Sequence, residues 1–552
     1  MTNKEIARTF QFLGNIMELH DENKFKIRSY QNAYISLRKL DQPLAEMSDE
    51  EIGKIKGVGK AIVGKIRELL DGGQMATLER YKAETPEGIQ EMLGIKGFGP
   101  KKIKAVWKEL GVQSVGELLY AVNENRLIEL NGFGQKTQED LRQKLEYFQR
   151  SQGKSHYAKL EGPAQAVLEQ LQAKFVDVPM NLVGAIRRKA NEVETIELLM
   201  AKDDLTAEGL GAALEEVQTV ENGFTGTTAD GHSVRIYVCA PGEFGSKLFR
   251  YSASSEFLNA FVESNSGLDF SGLATEDAVF AKANLPFVEP ELREQSWALE
   301  LAKAQQLPTL IELSDLKGVL HNHSTYSDGL HSLRDMATYT KEQGYEYLGM
   351  SDHSKSAFYA NGLQVERVYQ QMEEIDQLNQ ELAPFRVFKS IESDILNDGS
   401  LDYEEDVLKA FDFIIASVHT NLRMDEAKAT QRLITAIENP YTRILGHPTG
   451  RLLLSREGYP IDHKKVIDAC AENGVAIELN ANPYRLDLDW TWIPYALEKG
   501  VLISVNPDAH SKEGIHDMHF GVLSARKGGL TAETCLNAKP LVAFEKWLVN
   551  GR

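Results

Sequence analysis

Ten of the thirteen histidines lie beyond residue 320, and several sit at or just past the ends of short apolar runs. Val319-Leu320 precedes His321, Tyr347 to Met350 precede Asp352-His353, and Val387 to Ile391 precede Glu392. The pattern continues with Phe413 to Val418 before His419, Ile444 to Gly446 before His447, Val475 to Ile477 before Glu478, and Val501 to Val505 before Asp508 and His510. Imidazoles and carboxylates gathered this way can bind transition metals and activate water. His321-Asn322-His323 puts both rings on one side of an extended segment, because side chains alternate with period two, so the pair can chelate one ion. Asp508-Ala509-His510 is expected to share that geometry. One such pair arises by chance; two pairs among so many other strand-end groups point to a metal centre.

The elements that must position these groups follow from the spacing. Between most of the runs lie amphipathic helical stretches, such as 364–383, 425–438 and 463–473. Strands alternating with helices, with polar groups at the strands' C-terminal ends, predict a β/α barrel and its active face. Seven runs predict a barrel one unit short of the usual eight.

The motifs His321 to Gly329 (HNHSTYSDG), Ser351 to Ser354 (SDHS), Ile391 to Asp402, Ala416 to Thr420, Gly446 to Arg451 (GHPTGR), Glu478 to Asn480 and Asp508 to Ser511 (DAHS) resemble the PHP domain, a family of metal-dependent phosphoesterases. The resemblance implies metal ligands at His321, His323, Asp328, His353, Glu392, His419, His447, Asp508 and His510. It also implies a trinuclear centre bridged by Glu392. Six imidazoles with three carboxylates suit zinc, manganese or iron better than calcium or magnesium. Glu392, Asp352 and Arg451 are the expected catalytic groups, Arg451 as a phosphate contact or as a cap on local carboxylates. Asp352, Glu478 and Asn480 also fit ligand-orienting roles. His331, His463, His516 and His519 are expected at the surface or in packing, His519 having the strongest claim among them to a substrate role.

The first 150 residues carry different chemistry. Three segments recur there: Ile55 to Lys60 (IKGVGK), Ile95 to Pro100 (IKGFGP) and Leu130 to Gln135 (LNGFGQ), each between helical patterns. Their glycine pairs are Gly57 and Gly59, Gly97 and Gly99, and Gly132 and Gly134. Such a turn lets backbone N–H groups and the next helix's N-terminus face a phosphate, with Lys60, Lys65, Lys101, Lys102 and Lys136 supplying charge. A lone copy reads equally well as a helix end followed by a turn; three copies resemble helix-hairpin-helix motifs, which hold the DNA backbone without reading sequence.

With Phe25 to Ala33 ahead of the first two hairpins, Leu182 to Arg188 (LVGAIRR) and Phe244-Gly245-Ser246, the order resembles bacterial family X DNA polymerases over essentially the whole chain. The family's palm holds magnesium on three aspartates, in a D-x-D pair and a V-D-L-R strand. Aligned from Gly184 with Arg187 and Arg188, this chain has Thr195-Ile196-Glu197 and Val234-Arg235-Ile236-Tyr237 at those places. Arg235 is a cation where a metal should sit, so magnesium is not expected and the polymerase site reads as degenerate. Glu192, Glu194 or Asp230 would serve under a different alignment. Lys65 falls where the family's lyase carries a lysine.

Composition sets the outer limits. The net charge is −20, arguing against bulk coating of nucleic acid, yet residues 1–150 hold 24 basic and 22 acidic groups against 37 and 59 downstream. The three cysteines have no CxxC spacing, and no apolar run reaches the roughly 18 residues of a membrane span. A cytoplasmic protein, monomeric and without a membrane partner, is expected. The expected fold is multidomain: an all-α helix-hairpin-helix region, an α+β nucleotidyltransferase-like palm and thumb, and a distorted (β/α)7 PHP barrel. The boundaries read as 1–88 (lyase-like), 89–152 (fingers-like), 153–290 (palm and thumb), 291–315 (linker) and 316–552 (PHP). The function these features imply is a DNA-binding, metal-dependent 3′-to-5′ exonuclease acting in repair on gapped or 3′-ended DNA. The rival readings are an active gap-filling polymerase with the barrel as proofreader, a histidinol-phosphatase-like enzyme, and a non-enzymatic DNA-end scaffold.

Overall fold

The computed structural model describes residues 1–550 apart from 41, 116–117, 119–120, 123–126, 128–129, 131–132, 152 and 455–456. The chain divides into two compact units, Met1–Gln152 and Gly153–Arg552.

The first unit is helical, as its three- and four-residue apolar spacing predicts. Helix α1 (Asn3–Leu19) starts at a capping box formed by Thr2 and Glu5. It buries Ile6, Phe10, Leu13 and Met17 against Ile27, Tyr30, Ala33 and Leu37 of α2 (Lys24–Leu37). Helices α3 (Lys60–Gly72), α4 (Pro100–Leu110) and α5 (Gln135–Ser151) each follow one of the recurring glycine turns.

The second unit opens with α6 (Tyr157–Lys174), which covers a five-stranded sheet. Its strands are β1 (Met180–Val183), β2 (Ile196–Met200), β3 (Glu215–Val220), β4 (Gly223–Thr227) and β5 (Ser233–Val238), in the order β1-β2-β5-β4-β3. The β2–β5 pair is parallel and places Glu197 beside Arg235. Alternation in β2 sends Ile196, Leu198 and Met200 to the α6 side and Leu199 to the other.

Beyond the sheet, Phe249, Phe257 and Phe261 of the following helices pack with Phe280 of α7 (Glu276–Lys282). Residues 291–315, expected to be a linker, are part of this core instead. Ala298, Leu299 and Ala302 of α8 (Trp297–Lys303) are fully buried in it, and Arg293 sits 0% exposed with Nη1 2.6 Å from Glu276 Oε1. Pro290 starts a short turn at the head of this packed segment, and the buried arginine needs the carboxylate it finds there.

The barrel strands are β6 (Gly318–Val319), β7 (Tyr347–Met350), β8 (Arg386–Asp394), β9 (Phe413–Ser417), β10 (Thr442–Leu445), β11 (Ala476–Asn480) and β12 (Ile503–Asn506). All seven are parallel and neighbour one another in sequence order. An Asn322–Ala509 bridge links the two ends, so the barrel is nearly closed. Helices α9 (Leu333–Glu342), α10 (Val365–Glu381), α11 (Glu426–Ile437), α12 (His463–Asn473) and α13 (Met518–Lys527) fall between or after the strands. Both faces of nearly every strand are buried, which explains the continuous apolar runs. Phe544 of α14 (Leu541–Asn550) stacks 4.8 Å from Tyr347 and also meets Phe388 and Phe413. Tyr347 and Phe413 begin their strands, so this aromatic plug closes the N-terminal end and leaves the other end for chemistry.

Helix α13 also fastens the five-stranded sheet region to the barrel. Phe520 and Leu523 pack on the α6 core, Arg526 Nε lies 3.0 Å from Glu291, and His519 Nε2 lies 3.0 Å from Glu161. His519, given the strongest claim to a substrate role among the four remaining histidines, is thus a tie between that region and the barrel.

Candidate metal centre and glycine hairpins

Glu392, near the end of β8, is the hub of the barrel's C-terminal mouth. Its carboxylate lies 2.9 Å from His353 Nδ1, 3.0 Å from His447 Nε2, 3.1 Å from His419 Nε2 and 3.4 Å from His321 Nε2. Three overlapping groups of ligand atoms could each hold an ion: His321, His323 and Asp508; His323, Asp328, His353 and His510; and His353, Glu392 and His419. With His447 on Glu392, all nine residues singled out as ligands converge on one site.

One expectation fails in detail. Asp508 has φ +52, in the left-handed region that aspartate tolerates better than most residues, so Asp508-Ala509-His510 is kinked rather than extended. Asp508 Oδ1 therefore faces His323 Nε2 at 2.9 Å, while His510 Nε2 faces Asp328 at 3.3 Å. The two residues serve different ligand groups.

Buried ligand atoms make a direct test of whether metal fits. His321 Nε2 and His323 Nδ1 are buried without a hydrogen bond. Such atoms are costly unless something satisfies them, and a set of imidazole nitrogens with carboxylate oxygens matches a divalent transition metal. The charges are strongly coupled. Burial opposes a charged His321 ring, but Glu478, Glu392 and Asp508 outweigh it and hold the ring well above the usual imidazole range. Burial, with His510 and His353 alongside, pushes His323 down to about 3. Burial opposes ionisation of Glu392, but His419, His321 and His353 outweigh it and keep the carboxyl well below its ordinary range.

Supporting contacts orient the ligands. Glu478 Oε2 meets His321 Nδ1 at 2.8 Å, and Asn506 Nδ2 donates to the same oxygen at 2.9 Å. Asn480 Nδ2 donates to Glu478 at 3.2 Å and to Asp508 at 3.0 Å. Asp394 Oδ1 meets His419 Nδ1 at 2.9 Å. Asp394 was missed in the sequence, although it lies two residues past Glu392 on the same strand face.

Two expected catalytic groups are engaged elsewhere. Asp352 is fully buried and accepts from the backbone and hydroxyl of Ser324, from those of Ser327, and from Gln371 Nε2 at 2.6 Å. It braces the loop carrying His323 and Asp328. Arg451 pairs with Asp489 and donates to the carbonyls of Arg485 and Leu486, so it answers to the carboxylate-capping role. The arginine beside the cluster is Arg485, whose Nε lies 3.9 Å from Asp508 Oδ2. Its signal was the Asn482-Pro483-Tyr484-Arg485 turn that follows the Glu478 strand.

In the palm, Gly184 (φ +65) lets Glu197 pack against the backbone; a Cβ there would lie 1.7 Å from Glu197 Oε2. Tyr237 Oη donates to Glu197 Oε1 at 2.9 Å, Thr195 Oγ1 reaches only Ser233 at 3.5 Å, and Arg235 donates to the Glu221 carbonyl. Arg187 lies 2.6 Å from Glu276 and Arg188 3.2 Å from Glu294. Among the described residues, every metal-capable group of three or more lies in the barrel.

The hairpins share one geometry. Val58 N donates to Ile55 O, Phe98 N to Ile95 O and Phe133 N to Leu130 O, each at 3.0 Å. Gly57 and Gly97 have φ +84 and +80, which only glycine adopts freely. Gly59 and Gly99 cap α3 and α4 with no side chain over the helix N–H groups. Gly132 lies outside the described residues, while Gly134 is exposed at the start of α5. Lys60, Lys101 and Lys136 are exposed. Lys65 departs from expectation, with Nζ 2.6 Å from Thr77 Oγ1 and its side chain 16% exposed. Lys102 lies over the Phe133 ring at 5.6 Å.

Comparison with known proteins agrees with this layout. A helix-hairpin-helix domain matches residues 1–75, a SAM-like helix-hairpin-helix tandem residues 89–146, and a PHP domain residues 320–482. The DNA polymerase/3′-5′ exonuclease PolX of Bacillus subtilis (strain 168) is 34% identical over 99% of this chain and 99% of its own. A probable phosphatase of Thermoanaerobacter sp. (strain X514) is 28% identical over 39% of this chain and 88% of its own, and one of Acetivibrio thermocellus 29% over 34% and 78%. End-to-end identity at that level, with hairpin domains followed by a PHP domain, means that the chain belongs to the family X DNA polymerases that carry a C-terminal PHP domain.

Proposed function

We propose that the protein is a cytoplasmic, monomeric 3′-to-5′ exonuclease of DNA repair, its PHP barrel cutting phosphodiesters at gapped or 3′-ended DNA held by the helix-hairpin-helix domains. The observation that carries this reading is the convergence of nine imidazole and carboxylate groups with Glu392 at their hub, two of them, His321 and His323, with a buried ligand nitrogen unsatisfied. His321, His323, Asp328, His353, Glu392, His419, His447, Asp508 and His510 would hold about three manganese, zinc or iron ions. Such ions supply Lewis acidity toward a phosphodiester and a water ionised near neutral pH. The chain's own groups orient that chemistry. Glu478 and Asp394 fix the ring faces of His321 and His419, Asp352 holds the His323 loop, and Arg485 places a cation beside Asp508 that a phosphate could meet. Arg451 steadies the turn that carries Arg485.

The palm serves this reading as a clamp. Thr195 is a weak neutral ligand, Glu197 is held by Tyr237, and Arg235 brings positive charge to the neighbouring strand, which together disfavour magnesium. Digestion of a 3′-labelled strand with manganese, zinc or iron, comparing wild type with His323→Ala, tests the barrel. Unaltered cleavage by the variant would overturn the assignment. Primer extension tests the palm, and templated incorporation that Glu197→Ala abolishes would restore an active polymerase.

A further inference from the structure

Large apolar side chains left in water at the mouth of a polar site call for a partner. Of those the barrel exposes among its described residues, Tyr369 stands on α10 and Val542 and Val549 on α14, while Leu330, Phe358 and Tyr484 stand on loops at the C-terminal mouth. Leu330 is 75% exposed, Phe358 83% and Tyr484 50%.

The loops that carry these three side chains adjoin the metal-capable cluster. Leu330 N donates to the carbonyl of His510 at 2.7 Å. The Phe358 loop is closed by Leu363 N on His353 O at 2.9 Å and Ser354 N on Glu392 O at 3.1 Å. Asn361 in that loop donates to the carbonyls of Tyr326 and Ser327, next to Asp328. Tyr484 directly precedes Arg485, the arginine beside Asp508, and its carbonyl accepts from Leu453 N at 2.7 Å. In the strand order these loops follow β6, β7 and β11, which with β12 form one continuous arc across the barrel's junction.

Cation and ring neighbours complete the Tyr484 end. The His156 ring meets Tyr484 edge-on at 4.6 Å, and the exposed Lys159 has its ammonium 5.9 Å from the Tyr484 ring centre. Alternating apolar faces with a cation and a metal-capable cluster is the arrangement that unpaired nucleotides require, since bases stack on rings while phosphates seek positive charge. A small phosphate ester has no use for ring faces placed on separate loops.

We propose that Phe358 and Tyr484, with Leu330 between their loops, form a stacking platform for the unpaired bases at a DNA 3′ end and so select single-stranded or frayed termini for the cluster. The inference rests on the nuclease reading above. Because both rings are substantially exposed, replacing them leaves the core untouched.

The test uses the full-length metal-loaded protein and an oligonucleotide with 2-aminopurine at its 3′ end, its terminal linkage a phosphorothioate to slow cleavage. Wild type should quench the 2-aminopurine on binding, and the Phe358→Ala/Tyr484→Ala double variant should lose most of that quench. On an ordinary labelled strand the variant's KM should rise about 10-fold with a much smaller fall in kcat, and Phe358→Tyr/Tyr484→Phe should restore wild-type KM. Equal quench and equal KM in the Ala variant would overturn the platform. A quench that depends on the two rings in a protein that degrades no DNA would overturn the nuclease reading and leave the platform standing.

Discussion

Lys527, at the end of α13 in the barrel, donates its ammonium to the backbone carbonyl of Arg188 in the palm at 2.9 Å while pairing with Glu294 at 2.7 Å. The side chain is 1% exposed. Arg188 is itself bound to Glu294, so the segment that resembles a triphosphate-binding motif is knotted into the junction with the nuclease barrel.

Lys527→Met removes the cation from a buried carboxylate and carbonyl. We expect a loss of about 3 kcal/mol in stability, since breaking one side of a buried pair leaves the other uncompensated. Urea unfolding followed by tryptophan fluorescence measures it. A change below about 0.5 kcal/mol, the usual range of a surface substitution, would mean that the knot carries no weight.

Asp394→Asn keeps size and shape but removes the carboxylate that orients His419 through Nδ1. Loss of such a supporting group lowers metal affinity or activity by about 10- to 100-fold. Metal content after dialysis, together with cleavage of a labelled 3′ end, reports the effect. Full metal retention with full activity would show that packing alone holds His419.

Much of this was legible because strand ends are chemically distinctive. Buried parallel strands read as apolar runs, and the ligands lie at or soon after the ends of those runs, so the seven-stranded barrel and its nine convergent groups could be read from spacing and resemblance. Orientation was less legible. Asp352 and His353 are neighbours, yet one braces a loop and the other joins the cluster, because consecutive residues leaving a strand point opposite ways. Arg451 meets Asp489 and Arg485 meets Asp508, a division that turn geometry decides and spacing does not encode. The packing of the 291–315 segment was not legible because its core contacts are with helices some forty residues upstream, a long-range pairing that local composition does not encode.

Asp517, just before α13, lines a cavity with Leu313, Tyr345, Ile515, His516, Met518, His519 and Phe520. Burial raises its carboxyl to about 6 from an ordinary 3.8. The folded state thus favours the protonated acid. Its contribution to stability is fully present below about pH 4 and is lost as pH rises through about 6. Asp517→Asn, which cannot ionise, should raise the melting temperature at pH 8 and leave it nearly unchanged at pH 4. Equal shifts at both pH values would show that the effect is not ionisation.

The hairpins make the last prediction, which turns on lysines of differing engagement. Lys60, Lys101 and Lys136 are exposed beside the glycine turns, whereas Lys65 is tied to Thr77. Each phosphate contact releases counterions, so log affinity against log salt has a slope that falls by about one unit per contact removed. Replacing Lys60, Lys101 and Lys136 together by alanine should flatten the slope by about three units for DNA of any sequence, while Lys65→Met should leave it unchanged. Fluorescence anisotropy across a salt series distinguishes the two. An unchanged slope in the triple variant would take the hairpins out of the DNA interface, and a flattened slope in Lys65→Met would show that Lys65 leaves Thr77 for phosphate when DNA binds.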